Sequence, residues 1–190
     1  MNLPKGLTES AQRERERFEA ATSALLEEVQ NISLSVLVWG PSPQSDSPVA
    51  RKRVEIRDML ISVGHNAMFS EDLSTQSSDY SEKTKEFAQA RAAHLVIILV
   101  EGAPGALAEA HDFCSHHEIV NKVCVMIPKA YLEGYSAKGA IKLLNDGHGG
   151  VHWYEAEELE ACDVRKHAMR FVAARRELEY LRRGGAYGRP

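Results

Sequence analysis

The sequence predicts an α/β fold: a doubly wound, parallel, five-stranded sheet with one extra helix ahead of it. Three observations carry that expectation. Strand-like and helix-like segments alternate along the chain with short connections, the signature of a parallel sheet covered on both sides. The strongest apolar run, Leu95-Val96-Ile97-Ile98-Leu99-Val100, is continuous rather than alternating, which implies burial on both faces. The 190 residues are 44% hydrophobic and 26% charged, ordinary globular usage that leaves no room for a collagen, a long coiled coil or global disorder. Right-handed crossovers then make a flavodoxin-like or Rossmann-like strand order of 2-1-3-4-5 the natural choice.

Residues 8–30 have helical spacing, with Thr8 as the cap and Phe18, Ala21, Leu25 and Val29 on one stripe. The run Arg13-Glu14-Arg15-Glu16-Arg17 within it reads as a solvated face laced with ion pairs. Because this helix precedes the first strand, it is a candidate oligomerisation or partner-binding arm. Residues 34–39 are a β-branched strand ending at Gly40-Pro41, followed by a Pro/Ser-rich loop to Pro48. Residues 49–63 are helical, with Val54, Met59, Leu60 and Val63 at helical spacing and a stop at Gly64. A short strand at 66–69, a polar loop at 71–81 and a helix at 81–92 lead to the strand at 95–100. A Gly-Ala-Pro-Gly turn at 102–105 opens a helix at 106–119. Residues 122–127 form a fourth strand, 137–144 a short helix and 150–154 a fifth strand, which the glycine-dense segment 146–150 enters as a turn. Residues 163–183 form a last amphipathic helix with Phe171, Ala174, Leu178 and Leu181 on one face. The expected organisation is a helical arm at 1–31, an α/β domain at 32–183 and a disordered tail at 184–190.

The net charge is −4 and the pI about 6.1, so no global basic excess is available to grip a phosphate backbone. Cys114, Cys124 and Cys162 form no spaced framework, and their odd number argues against an all-paired set. No stretch approaches the ~18 apolar residues of a membrane span. The opening Met1-Asn2-Leu3-Pro4-Lys5 lacks the apolar core of a secretory signal. A cytoplasmic protein with no membrane partner is the expectation. The cluster His111, Cys114, His116 and His117 has no second ligand pair at zinc-like spacing, so no metal is expected.

In doubly wound sheets, ligands bind outside the carboxyl ends of the strands near the switch point. Three loops qualify. The first offers Gly40 and Pro41, where glycine lets a ligand approach the backbone, yet GxGxxG and GxxxxGK[ST] are both missing from the chain. The second offers Glu71-Asp72, carboxylates suited to ribose hydroxyls or to capping a nearby helix. The third, Val100-Glu101-Gly102-Ala103-Pro104-Gly105-Ala106-Leu107-Ala108-Glu109, joins a buried strand to a helix and sets Glu109 about one turn into that helix. An acid there is also favoured by the helix dipole alone. Trp39, which ends the first strand, could stack a base, although packing is the commoner role for such a residue.

Taken together, Gly40-Pro41, Glu71-Asp72-Leu73 and Pro104-Gly105-x-x-x-Glu109 resemble the nucleoside 2-deoxyribosyltransferase-like family, and within it most closely the effectors of retron antiphage systems. The resemblance covers roughly residues 33–180, and segments 90–100, 122–128 and 139–144 follow the same pattern, as do the helices around Glu157 and Arg175. It implies that Glu109 is the nucleophile and that Gly40, Pro41, Glu71, Asp72, Glu86, Gly105 and Ala106 surround the substrate. Three features depart from the family pattern. Ala106 stands where Ser or Thr is usual, Ala110-His111 replaces Leu-Gly, and His94 stands where an acid is common. Toll/interleukin-receptor-like NAD hydrolases share a related architecture, so NAD joins nucleosides and nucleotides as an implied substrate rather than a cofactor.

The implied chemistry is cleavage or transfer of an N-glycosidic bond. A carboxylate beneath C1′ either stabilises the oxocarbenium-like state or attacks it to form an ester. The resemblance further implies a toxic effector, a homo-oligomer, and restraint by a reverse transcriptase/non-coding RNA complex. The rival readings are a non-catalytic nucleotide sensor, favoured by Ala106 and Ala110-His111, and a nucleoside salvage enzyme.

Overall fold

The computed structural model describes residues 8–73, 79–100, 110–146 and 149–183. The backbone divides into two compact units, one spanning Ser33–Arg175 and the other drawn from Met1–Ile32 and Arg176–Pro190.

The larger unit is a five-stranded parallel sheet, β1 (Ser35–Trp39), β2 (Asn66–Met68), β3 (Leu95–Leu99), β4 (Val123–Pro128) and β5 (Gly150–Tyr154), in the order β2-β1-β3-β4-β5. This is the 2-1-3-4-5 order expected from the alternation. All five residues of β3 are buried, as its unbroken apolar run requires, and Val36 and Val38 are likewise sealed in β1. Edge strand β2 is only three residues long and β5 is mostly half-buried. One core cluster runs across the sheet through Trp39, Ile98, Val125 and Ile127 and takes in Phe113 and Ile119 from the covering side.

Around the sheet lie α2 (Pro48–Ser62), α3 (Glu82–Ala92), the short α4 (His117–Val120), α5 (Tyr135–Lys138), α6 (Ala140–Asp146), α7 (Ala156–Glu160) and α8 (Asp163–Arg182), whose residues through Arg175 belong to this unit. Helix starts are set by local chemistry. The Ser47 hydroxyl accepts from the Ala50 amide at 3.1 Å with Pro48 in the first turn, and Ser81 accepts from Thr84 at 3.3 Å. At Gly150 the Phe171 ring lies against the backbone, where an added Cβ would sit 1.9 Å from it, so only glycine fits.

Four expectations are corrected. The inner face of α2 is Val49, Arg53, Ile56 and Leu60, while Val63 is 44% exposed: an arginine, not Val54 or Met59, completes the stripe. The inner face of α8 is Val164, Ala168, Val172, Arg175 and Glu179, and Leu178 and Leu181 point to solvent. The helix expected at 106–119 breaks at Cys114–His116, where His116 is extended and opens α4. The helix expected at 137–144 is two helices parted at Gly139. In addition, the polar loop after β2 begins as a 3-10 turn, Ser70–Leu73. The Gly-Ala-Pro-Gly turn, Gly147, His148 and the tail 184–190 lie outside the described residues.

The smaller unit contains α1 (Glu9–Gln30) and the end of α8. Thr8 caps α1 as expected, its hydroxyl accepting from the Ala11 amide at 3.3 Å. No residue of α1 is buried. Among the described residues, no helix is long and apolar enough to cross a membrane.

Candidate functional site

The carboxyl ends of β1 and β2 are joined by one buried side chain. Arg53 projects from the inner stripe of α2 and is 1% exposed. Its Nε donates to the Val38 carbonyl at 2.9 Å, and Nη1 donates to the carbonyls of Gly40 and Pro41 at 3.2 and 2.8 Å. The same guanidinium grips Glu71 bidentately, with Nη1 to Oε1 at 2.8 Å and Nη2 to Oε2 at 2.7 Å. The ring of Phe69 lies 4.3 Å from the guanidinium carbons of both Arg53 and Arg57.

Gly40 is shaped by the same close packing. Its φ is +152°, and an added Cβ would lie 2.9 Å from the Leu99 carbonyl oxygen and 3.4 Å from the Arg53 side chain. Burial is the largest influence on Glu71 and pushes its pKa up, but the hydrogen bonds and charge of Arg53 outweigh it and hold the carboxyl below the ordinary glutamate value. Asp72 turns back on its own loop and accepts from the Phe69 amide at 3.1 Å. Gly40, Pro41 and Glu71 are thus brought together by a residue that the sequence did not single out. The available signal was its register: Arg53 falls at helical spacing between Val49 and Ile56 on an otherwise apolar stripe.

Glu86 stands in a different setting. It lines a cavity of about 280 Å³ with Phe87 and Lys83 from α3, and with Asp112, Phe113 and His116 from the segment following Glu109. That volume is near the lower end for small-molecule pockets, ~300 Å³. Three rings contribute to its walls, beside charged and hydroxyl side chains. Phe87 meets the His116 ring edge-on at 4.6 Å, and Phe113 packs on Trp39 at 5.1 Å. Burial, then the charges of Glu82 and Asp112, push the Glu86 pKa above the ordinary value. Lys83 pairs with Asp112 at 2.9 Å across the mouth. A larger groove of about 380 Å³ lies along β1 and α3, but its lining is almost wholly apolar and offers little for chemistry.

Glu109, Gly105 and Ala106 lie outside the described residues. The two residues that bracket this segment are firmly held. Val100 is 1% exposed, its amide donates to Met126 at 2.8 Å, and its carbonyl accepts from the Tyr154 hydroxyl at 2.7 Å. Ala110, the neighbour of Glu109, is completely buried and is helical together with residues through Phe113. Trp39 is 2% exposed, so it packs against Phe113 and presents no open face to a base; its indole N–H finds no acceptor among the described residues.

His94 ties the starts of β1 and β3 together at the opposite end of the sheet, its Nδ1 accepting from the Ser35 amide at 3.0 Å and meeting the Ser35 hydroxyl at 2.7 Å. The Cys114 thiol donates to the His111 carbonyl, and burial raises its pKa. Among the described residues, no group of three His, Cys, Asp or Glu is arranged to hold a metal ion.

A family model described as STM3845 retron effector protein matches residues 53–179. No curated protein matches the chain. The match begins at Arg53 and spans Glu71, Glu86, Glu109 and all strands from β2 onward. The chain belongs to the STM3845 retron effector protein family.

Proposed function

We propose that this retron effector family member cleaves or transfers the N-glycosidic bond of a nucleoside, a nucleotide or NAD, with Glu109 as the nucleophile, and that this activity makes it a toxic effector in antiphage defence. One observation carries the reading: Glu86, whose pKa burial pushes up, lines a cavity with Phe87 and with Asp112, Phe113 and His116 from the chain shortly after Glu109. Aromatic rings suit the flat face of a base, and an acid with no ion-pair partner among the described residues suits sugar hydroxyls. In this reading Gly40 and Pro41 border the ligand through their backbone, and Gly105 and Ala106 belong to the same substrate-binding set. Glu71 and Asp72 act one step back, through Arg53 and the Phe69 amide.

The Glu109 carboxylate attacks C1′ as the bond to the base nitrogen breaks, and the bonding pair leaves with the base. Water or a second base then takes the sugar from the ester. The base of a nucleoside or nucleotide takes up a proton from water as it leaves, whereas nicotinamide departs neutral and needs no proton donor. A reverse transcriptase/non-coding RNA complex restrains the effector until infection.

The test is incubation of the purified chain with NAD and a nucleoside and nucleotide panel, followed by chromatography for free base. Base release is expected, with Glu109→Gln lowering it by roughly a thousandfold or more and leaving circular dichroism unchanged. Full turnover by that variant removes Glu109 from the chemistry. Protection against heating by a nucleotide, with no base released, identifies a sensor instead, the reading favoured by Ala106 and Ala110-His111.

A further inference from the structure

We propose that α1 is a self-association arm, and that two copies of this chain pair antiparallel through the stripe centred on Phe18. The inference is independent of the reaction proposed above. Helix α1 is 22 residues long with no buried residue, yet Ala11, Phe18, Leu25 and Val29 recur along one face at helical spacing. Leu25 and Val29 are partly covered in the smaller unit, where the Tyr180 hydroxyl donates to Glu28 at 3.2 Å. The preceding turns are not: Phe18 is 69% exposed. Most helical stability in a protein comes from packing an apolar face rather than from intrinsic propensity, and exposed pairs such as Arg13–Glu9 and Arg17–Glu14 add little. A helix of this kind calls for a partner over its apolar stripe.

Charge identifies that partner as a second copy. Residues 9–24 carry four acids and three arginines, so a strongly basic or acidic partner would meet like and opposite charges in nearly equal number. A second copy does not. Arg15 and Glu19 flank Phe18 on one edge of the stripe and pair within the helix at 2.6 Å. With Phe18 facing Phe18 across a two-fold axis, Arg15 of each copy comes within two residues of Glu19 of the other, about 3 Å along the helix axis. The exchange occurs twice, because an isologous contact repeats every interaction. The arm is therefore self-complementary in both its apolar and its charged parts.

Sedimentation of the full chain from about 1 to 100 μM tests this. A dimer is expected, and Phe18→Glu, a substitution at an exposed position that leaves the melting temperature of the α/β unit intact, makes it monomeric. Arg15→Glu or Glu19→Arg alone weakens association roughly tenfold by setting like charges opposite one another, and the double exchange restores it to within about threefold of the original. A chain that is monomeric throughout, a dimer indifferent to Phe18→Glu, or a double exchange no better than the single ones each overturns the proposal. The last result would show that a different surface carries the association.

Discussion

Glu71 and Glu86 look alike in the sequence, both acids near the ligand edge of the sheet, yet the fold treats them in opposite ways. Glu71 gives both oxygens to a guanidinium that is itself almost fully buried, and its carboxyl is held below the ordinary pKa. Glu86 is desolvated beside two further acids and is pushed above it. An acid already matched to a buried cation is committed to architecture. An acid kept under electrostatic tension, beside a cavity, gains from a ligand that brings hydroxyl donors. The contrast separates an acid that braces the turn after β2 from an acid on α3 that lines a cavity.

Four variants break or sharpen that contrast. Glu109→Gln has the largest expected effect, on turnover alone, as set out above. Arg53→Ala is next, because it leaves three carbonyls and a carboxylate without their donor. A loss of about 3–5 kcal/mol in urea unfolding is expected, and a loss below about 1 kcal/mol would show that the loops hold themselves together.

Glu71→Gln costs less, about 1–2 kcal/mol, since the carboxylate is half exposed and Arg53 keeps its carbonyl partners. The folded pKa of Glu71 is depressed, so its contribution is complete above the unfolded-state value and disappears as pH falls through the folded one. Wild type and Glu71→Gln should therefore converge in stability on acidification. Glu86→Gln is the smallest effect and has the opposite sign. At neutral pH it raises the melting temperature by about 1–2 °C. That gain vanishes as pH drops through the ordinary glutamate range, because there the wild-type group is itself protonated. If Glu86 meets the sugar, the same variant raises KM while it stabilises the fold.

The sheet was legible because burial on both faces writes continuous apolar runs, as in β3 and β4, and because parallel strands demand helical crossovers. Strand order followed from handedness. What escaped was every place where polar residues turn inward. Arg53 and Arg175 occupy inner stripes of their helices, while Leu178 and Leu181 sit outside, so apolar spacing alone chose the wrong faces. The break at Cys114–His116 and the parting at Gly139 depend on backbone conformations that periodicity does not encode. Candidate site residues could be named from the sequence, but their roles could not. Only the three-dimensional partner distinguishes Glu71 from Glu86, and for Arg53 that partner belongs to another loop.

The Tyr154 hydroxyl of β5 meets the carbonyl of Val100, the residue just after β3, although β3 and β5 are not adjacent in the sheet. Val100 is the last described residue before the stretch that carries Glu109, and Ala110, just beyond it, is sealed in the core. Both abutments of that span are thus masonry of the sheet and its cover. The far edge strand, remote in sequence and bearing none of the candidate site residues, thus helps fix the end of the chain at Val100.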